Sequence, residues 1–183
     1  MTTPPGSAAV SNIDLVEMAP GRDAEFAEMI EEFKAAGELH VYHGSFAAAW
    51  QGYAAYYDLL SKMKAGGYPQ PDFVPMDSYF IESEGRILGE VLVRLGLTPH
   101  LEKIGGHIGY KVRPSARNRG VATAALRLAL EKLRAIGVEQ ALVTCNTINA
   151  ASSRVIEKCG GVRIADAWLP YRVERRYWVS TAP

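Results

Sequence analysis

The stretch from Gly105 to Cys145 constrains the fold more than any other part of the chain. It opens on a strand-like run, GGHIGYKVR, and passes through the basic turn VRPSARNRGVAT (112–123). It then continues into GVATAALRLALEKLRAIG, where Leu126, Leu130, Leu133 and Ile136 recur along one stripe and Gly137 stands where a glycine closes a helix. VEQALVTC (138–145) reads as the next strand. Strands alternating with helices in this way ask for an α/β sheet with helices packed against it.

The rest of the chain fits that frame. IDLVEMAP (13–20) reads as a first strand, and GRDAEFAEMIEEFKAAGE as a helix with Phe26, Ile30 and Phe33 at helical spacing and acids early in the run. Residues 45–64 predict a second, core-facing helix behind a Ser45 cap, with Trp50, Tyr53 and Tyr57 as packing residues. A Gly- and Pro-containing loop (66–75) leads to the runs DSYFIES and RILGEVLVRLGL, with Glu84-Gly85 as the hairpin tip. NAASSRVIEKCGG (149–161) reads as a helix closed by glycines, and VRIADAWLPYRVERRYWV as two strands around Pro170. The expected order is β-α-α-β-β-β-α-β-α-β-β, a mixed, mostly antiparallel sheet flanked by helices. In 183 residues, positions 12–183 are expected to form one domain behind a mobile tail, 1–11.

Composition removes several classes of function. Lys plus Arg and Asp plus Glu both total 20, so no global field draws the chain to nucleic acid or to an anionic membrane. The N-terminal residues carry no signal-like pattern, and no stretch approaches 18 uninterrupted apolar residues, which makes the expectation cytoplasmic. Cys145 and Cys159 lie in no metal-ligand spacing and read as small buried residues, so no metal is expected.

A basic site must therefore be local. Lys111, Arg113, Arg117 and Arg119 fall in one acid-free run that feeds a helix beginning near Gly120. A helix N-terminus leaves four N–H groups unpaired and carries about half a positive charge, so the run describes an anion site. Gly120 and Ala122 keep its first turn bare enough for a diphosphate to approach the backbone. No Gly-Lys-Ser/Thr follows, and the pattern is not GxGxxG, so neither common nucleotide loop applies.

Arg117, Gly120 and Ala122, placed as R-x-x-G-x-A after YKVRP, resemble the acyl-CoA pyrophosphate loop of the Gcn5-related N-acetyltransferase (GNAT) superfamily. NAASSRVIEKCGG resembles the same family's N-x-x-S-x-R-x-x-E-K-x-G-F segment at Asn149, Ser152, Arg154, Glu157, Lys158 and Gly160, with Gly161 in place of Phe. The resemblance covers about residues 76–178, and within the superfamily is nearest to a group of bacterial proteins described as predicted acetyltransferases.

The resemblance implies acetyl-CoA as acyl donor and a small-molecule or protein amine as acceptor. The amides of Arg117, Asn118, Arg119, Gly120, Val121 and Ala122 would hold the CoA diphosphate, with the Thr123 hydroxyl in the first turn. Tyr110 and Val112 would offer main-chain groups to the pantetheine arm, Asn149 would hydrogen-bond it, and Ser152 would lie near it. Capping alone also explains Asn149. Arg113 and Arg119 read either as exposed charges or as partners of the adenosine 3′-phosphate, and Glu157 and Lys158 as structural or solvent-facing. The 45–64 helix and the 66–75 loop occupy the region that shapes the acceptor pocket in relatives.

For catalysis, His107 is the preferred base and Glu90 the second candidate, each with a plain structural alternative. Relatives place a Tyr before Glu-Lys to protonate the departing thiolate, and this chain has Ile156 there. Tyr171 or Tyr110 could substitute, or the thiolate could leave unaided, while the Val112 N–H would steady the oxyanion. The leading reading is an N-acetyltransferase working by direct attack. A non-catalytic acyl-CoA sensor or regulatory module is the alternative, and a phosphate- or nucleotide-binding domain a third. The final strands allow a homodimer without requiring one.

Overall fold

The chain is seen in a computed structural model that describes residues 9–67 and 73–182 apart from the side chain of Ser45, so the Ser45 cap lies outside the described residues. Its strands are β1 (Asp14–Glu17), β2 (Met76–Ser83), β3 (Arg86–Arg94), β4 (Ile108–Val112), β5 (Gln140–Asn146), β6 (Val162–Leu169) and β7 (Arg172–Ser180). Its α-helices are α1 (Asp23–Ala35), α2 (Tyr53–Lys64), α3 (Val121–Ala135) and α4 (Ala150–Lys158). This is the element order the sequence implies, with short 3-10 turns added. Among the described residues no helix is long and apolar enough to cross a membrane.

Two antiparallel ladders carry the fold, β1-β2-β3-β4 and β5-β7-β6. The expected hairpin tip is present: Glu84 and Gly85 both take positive φ, 51° and 75°, which suits the twist of the flanking strands. Leu126, Leu130 and Leu133 of α3 bury against Val91, Val93, Ile108 and Val143 on one face. Ile136, expected to extend that stripe, is exposed, because the helix ends there and Gly137 turns the chain away with φ 85°. On the other face, Phe26, Met29 and Phe33 of α1 pack with Tyr42, Tyr56, Phe80 and Leu92.

The helix expected over 45–64 is two elements. A 3-10 segment (Gly44–Gln51) meets α2 at Gly52, whose φ of 118° no helix interior can hold. Trp50 and Tyr53 still pack as expected, donating to Tyr42 O at 2.9 Å and Ala19 O at 2.8 Å. Of the expected loop 66–75, residues 68–72 lie outside the described residues. So do residues 1–8 of the expected tail, whereas Val10 N–H bonds Arg119 O at 3.1 Å and Ser83 holds Ser11 O at 2.9 Å.

The ladders meet at one point. His107 N–H donates to Leu142 O at 2.7 Å, Leu142 N–H returns to His107 Nδ1 at 2.9 Å, and Gly105 N–H donates to Thr144 Oγ1 at 2.9 Å. Gly106 makes this approach feasible, since a Cβ there would stand 2.3 Å from Leu142 O. Beyond the junction no ladder joins β4 to β5, so the two strands splay.

Candidate active site

The site grows from the C-terminal end of β4. Arg113 N–H bonds Leu88 O on β3, so antiparallel alternation turns the N–H and C=O of Tyr110 and Val112 to the opposite edge, toward β5. Val112 O is steadied there by Arg117 Nε at 2.9 Å. After a short 3-10 turn, Asn118 takes φ 59° and Gly120 φ 83°, a reversal that presents successive N–H groups in one direction. Ala124 N–H is the first to close a helical turn, on Gly120 O at 3.1 Å. The N–H groups of Gly120, Val121, Ala122 and Thr123 have no acceptor among the described residues, and nothing lies within 4 Å of where a Gly120 Cβ would stand. That is room for an anion to rest on backbone. The Arg117 N–H, expected to join them, already donates to Pro114 O at 3.3 Å.

Arg113 and Arg117 of the same run turn their side chains to acids elsewhere. Arg113 is only 2% exposed, with Nε and Nη2 on Glu32 at 2.9 and 2.6 Å and Nη1 on Ile87 O at 2.9 Å, so it is neither an exposed charge nor a phosphate hand. Burial pushes the Glu32 carboxyl up, but hydrogen bonds from Arg113 and Ser115 outweigh it and hold the group at about 2. Arg117 grips Glu38 with two bonds of 2.6 Å. Arg119 is half-buried and lends its carbonyl to Val10. Arg113 and Arg117 fasten α1 and the turn after it to the loop.

Across the splay, Tyr110 reaches α4. Its hydroxyl lies 2.8 Å from Ser152 Oγ, and burial pushes its pKa up. Asn149 caps α4 by accepting the Ser152 N–H at 3.0 Å, the capping role its position allows. Tyr110, Ser152 and Asn149 thus form one group between β4 and α4. Tyr171 stands apart, 74% exposed in the turn between β6 and β7.

The two base candidates are both engaged. His107 is 6% exposed, and burial with the nearby Arg94 charge lowers its pKa, so the ring is neutral. Its Nδ1 lone pair receives Leu142 N–H, which places the ring proton on Nε2 and leaves no free lone pair. Glu90 is fully buried and accepts from Tyr42 Oη at 3.0 Å, Tyr56 Oη at 2.8 Å and Lys111 Nζ. Burial lowers the Lys111 pKa while Glu90 raises it, and the ammonium lies 4.1 Å from the centre of the Tyr42 ring. Glu90 is thus held in a buried ion pair and does not face solvent.

Sequence reading missed the partners Lys111, Tyr42 and Tyr56, and also Arg94. The signal was present: Glu90 and Arg94 are the charged residues inside the otherwise apolar run ILGEVLVR, and the strand period puts them on one face.

A model of the GNAT acetyltransferase domain matches residues 19–162. No curated protein matches the chain by sequence. Among solved structures, the microcin C7 self-immunity acetyltransferase MccE, in complex with acetyl-CoA and AMP, superimposes with a TM-score of 0.65 at 16% identity, covering 93% of each chain. RimL, a ribosomal L7/L12 α-N-protein acetyltransferase in complex with CoA, gives 0.67 at 13% identity over 97% of this chain and 99% of its own. Mycobacterium smegmatis RimJ, in complex with CoA-disulfide, gives 0.64 at 18% over 92% and 81%. The family match spans the meander, the bare helix end and the splayed strands alike, and the chain belongs to the GNAT acetyltransferase family.

Proposed function

We propose that this chain moves an acetyl group from acetyl-CoA to a primary amine, on a small molecule or a protein, by direct attack of the amine on the thioester. The observation that supports this most is the backbone anion cradle at 118–123 standing beside the unpaired edge of β4. Gly120, Val121, Ala122 and Thr123 would receive the diphosphate on their N–H groups, with Asn118 and Arg119 shaping the turn. Val112 and Tyr110 would pair with the pantetheine arm as with an added strand. That direction brings the thioester from the start of α3 toward the N-terminal half of β4.

Attack requires a neutral amine, and an alkyl amine of pKa about 10.4 is less than roughly 0.1% neutral at pH 7. With the Nδ1 lone pair of His107 spent and Glu90 held in a buried ion pair, water carries the proton away in this reading, and the buried positive charge of Arg94 lowers the pKa of an ammonium bound near it. The Tyr110 N–H, on the same unpaired edge, would steady the oxyanion in place of the Val112 N–H, since Val112 ends β4 beside the cradle. Tyr110, hydrogen-bonded to Ser152, takes over from Tyr171 as the hydroxyl facing the departing thiolate, whose own pKa of about 8.5 asks little help. A cytoplasmic setting, where acetyl-CoA is made and used, belongs to the same proposal.

The engaged state of both base candidates favours one other reading, an acyl-CoA sensor without turnover. Thiol release from acetyl-CoA across a panel of amines tests the choice. Amine-dependent release supports transfer, whereas tight acetyl-CoA binding with no release on any amine leaves the sensor.

A further inference from the structure

Arg94 closes β3 on the same sheet face as Glu90 and is only 8% exposed. Its Nη1 donates to Gly105 O at 3.1 Å and Gly106 O at 3.2 Å. Among the described residues its buried Nε and its Nη2 have no partner, and no carboxylate pairs with the charge. A buried cation left so is costly, and such a group asks for an explanation.

Arg113 in the same molecule shows what completes this arrangement. It too puts Nη1 on a backbone carbonyl, and its Nε and Nη2 both rest on the Glu32 carboxylate. Nε and Nη2 form the flat edge of a guanidinium that matches a carboxylate with two parallel bonds. In Arg94 that edge lacks a carboxylate among the described residues. The acid that shares its strand and face, Glu90, is committed to Lys111, Tyr42 and Tyr56.

The position of this edge indicates whose carboxylate it takes. A Cβ on Gly109 would stand 3.8 and 4.0 Å from Nη1 and Nη2 of Arg94, so the guanidinium lies against the N-terminal half of β4. It sits on the face covered by α1 and α2, opposite α3. Under the proposed function the thioester is brought to that half of β4. Arg176, across the junction, likewise bonds carbonyls, Ala165 O and Glu102 O.

We propose that the acceptor is an amine bearing a carboxylate, of the α-amino acid class, and that Arg94 holds that carboxylate through Nε and Nη2 while the amine meets the thioester. The inference rests on the acetyl-transfer reading.

The test is thiol release from acetyl-CoA with matched pairs, each proteinogenic α-amino acid against its α-amino amide, together with spermidine and an aminoglycoside as amines lacking a carboxylate. At least one acid should exceed its amide by ten-fold or more in kcat/KM. Arg94→Gln should bring that ratio near one by raising KM for the acid, and Arg94→Lys should restore part of it. Equal use of acid and amide by the wild type, turnover confined to amines lacking a carboxylate, or an equal loss on both members in Arg94→Gln would each overturn the inference and leave acetyl transfer standing. The wild-type ratio decides even if the variants do not fold, and the thermal shift with acetyl-CoA reports whether they do. No release on any amine would overturn the acetyl-transfer reading and this inference with it.

Discussion

Three cations of the basic run each find an acid supplied by another segment: Lys111 with Glu90, Arg113 with Glu32, Arg117 with Glu38. Glu32 makes this measurable. Its carboxyl is held at about 2 against an ordinary 4.5, so it contributes stability that is complete above pH 4.5 and fades as pH falls toward 2. Acid unfolding of Glu32→Gln should show a flatter slope through that window, and a slope equal to wild type would mean that the pair contributes nothing. Lys111→Met strands Glu90 in an aromatic core and should cost about 3–5 kcal/mol in a denaturant titration. His107→Ala removes the acceptor of Leu142 N–H, which should cost about 1–3 kcal/mol. The pH–rate profile of that variant should keep its shape, and loss of a limb near neutral pH without loss of stability would restore His107 as base. The sequence announces the charges in this run but not their partners, since Glu32 and Glu38 lie some 80 positions away and only folding brings them near.

The elements themselves were more legible. Helix α3, hairpin Glu84-Gly85 and the cap at Asn149 follow from local rules of periodicity, turn chemistry and capping, and each stands where those rules put it. The 45–64 segment did not, because aromatic spacing reports burial whether the backbone is α or 3-10, and the break rests on a single glycine conformation at Gly52. The two departures from the family pattern, Ile156 and Gly161, lie in contact with each other. Gly161 packs so closely on Ile156 that a Cβ would stand 2.6 Å from Ile156 Cγ2 and 2.9 Å from its carbonyl. Gly161→Phe alone should therefore lower the melting midpoint, and an unchanged midpoint would show the turn to be more pliable than its contacts suggest. Gly89 is a second such approach, 2.1 Å from Lys111 O to an added Cβ, so Gly89→Ala should prise β4 from β3. Gly120→Glu differs in kind. It meets open space, so it should leave the fold intact apart from the strain of its φ while abolishing acetyl-CoA binding.

At the scale of the molecule, acetyl-CoA at 100 times its dissociation constant should add about 2.7 kcal/mol and raise the melting midpoint by several degrees, where ATP should not. The junction at His107, Leu142 and Gly105 gives that shift a spatial pattern. Two ladders riveted at one end and unpaired at the other have the form of a pair of tongs, parted where β4 and β5 diverge. Whatever bridges the open end changes the leverage on both blades. Amides of Tyr110 and Val112 should then exchange with solvent quickly in the free protein and slowly with acetyl-CoA, while Leu142 near the rivet stays protected in both. The protein would thus register its cofactor as stiffness, distributed from one pivot.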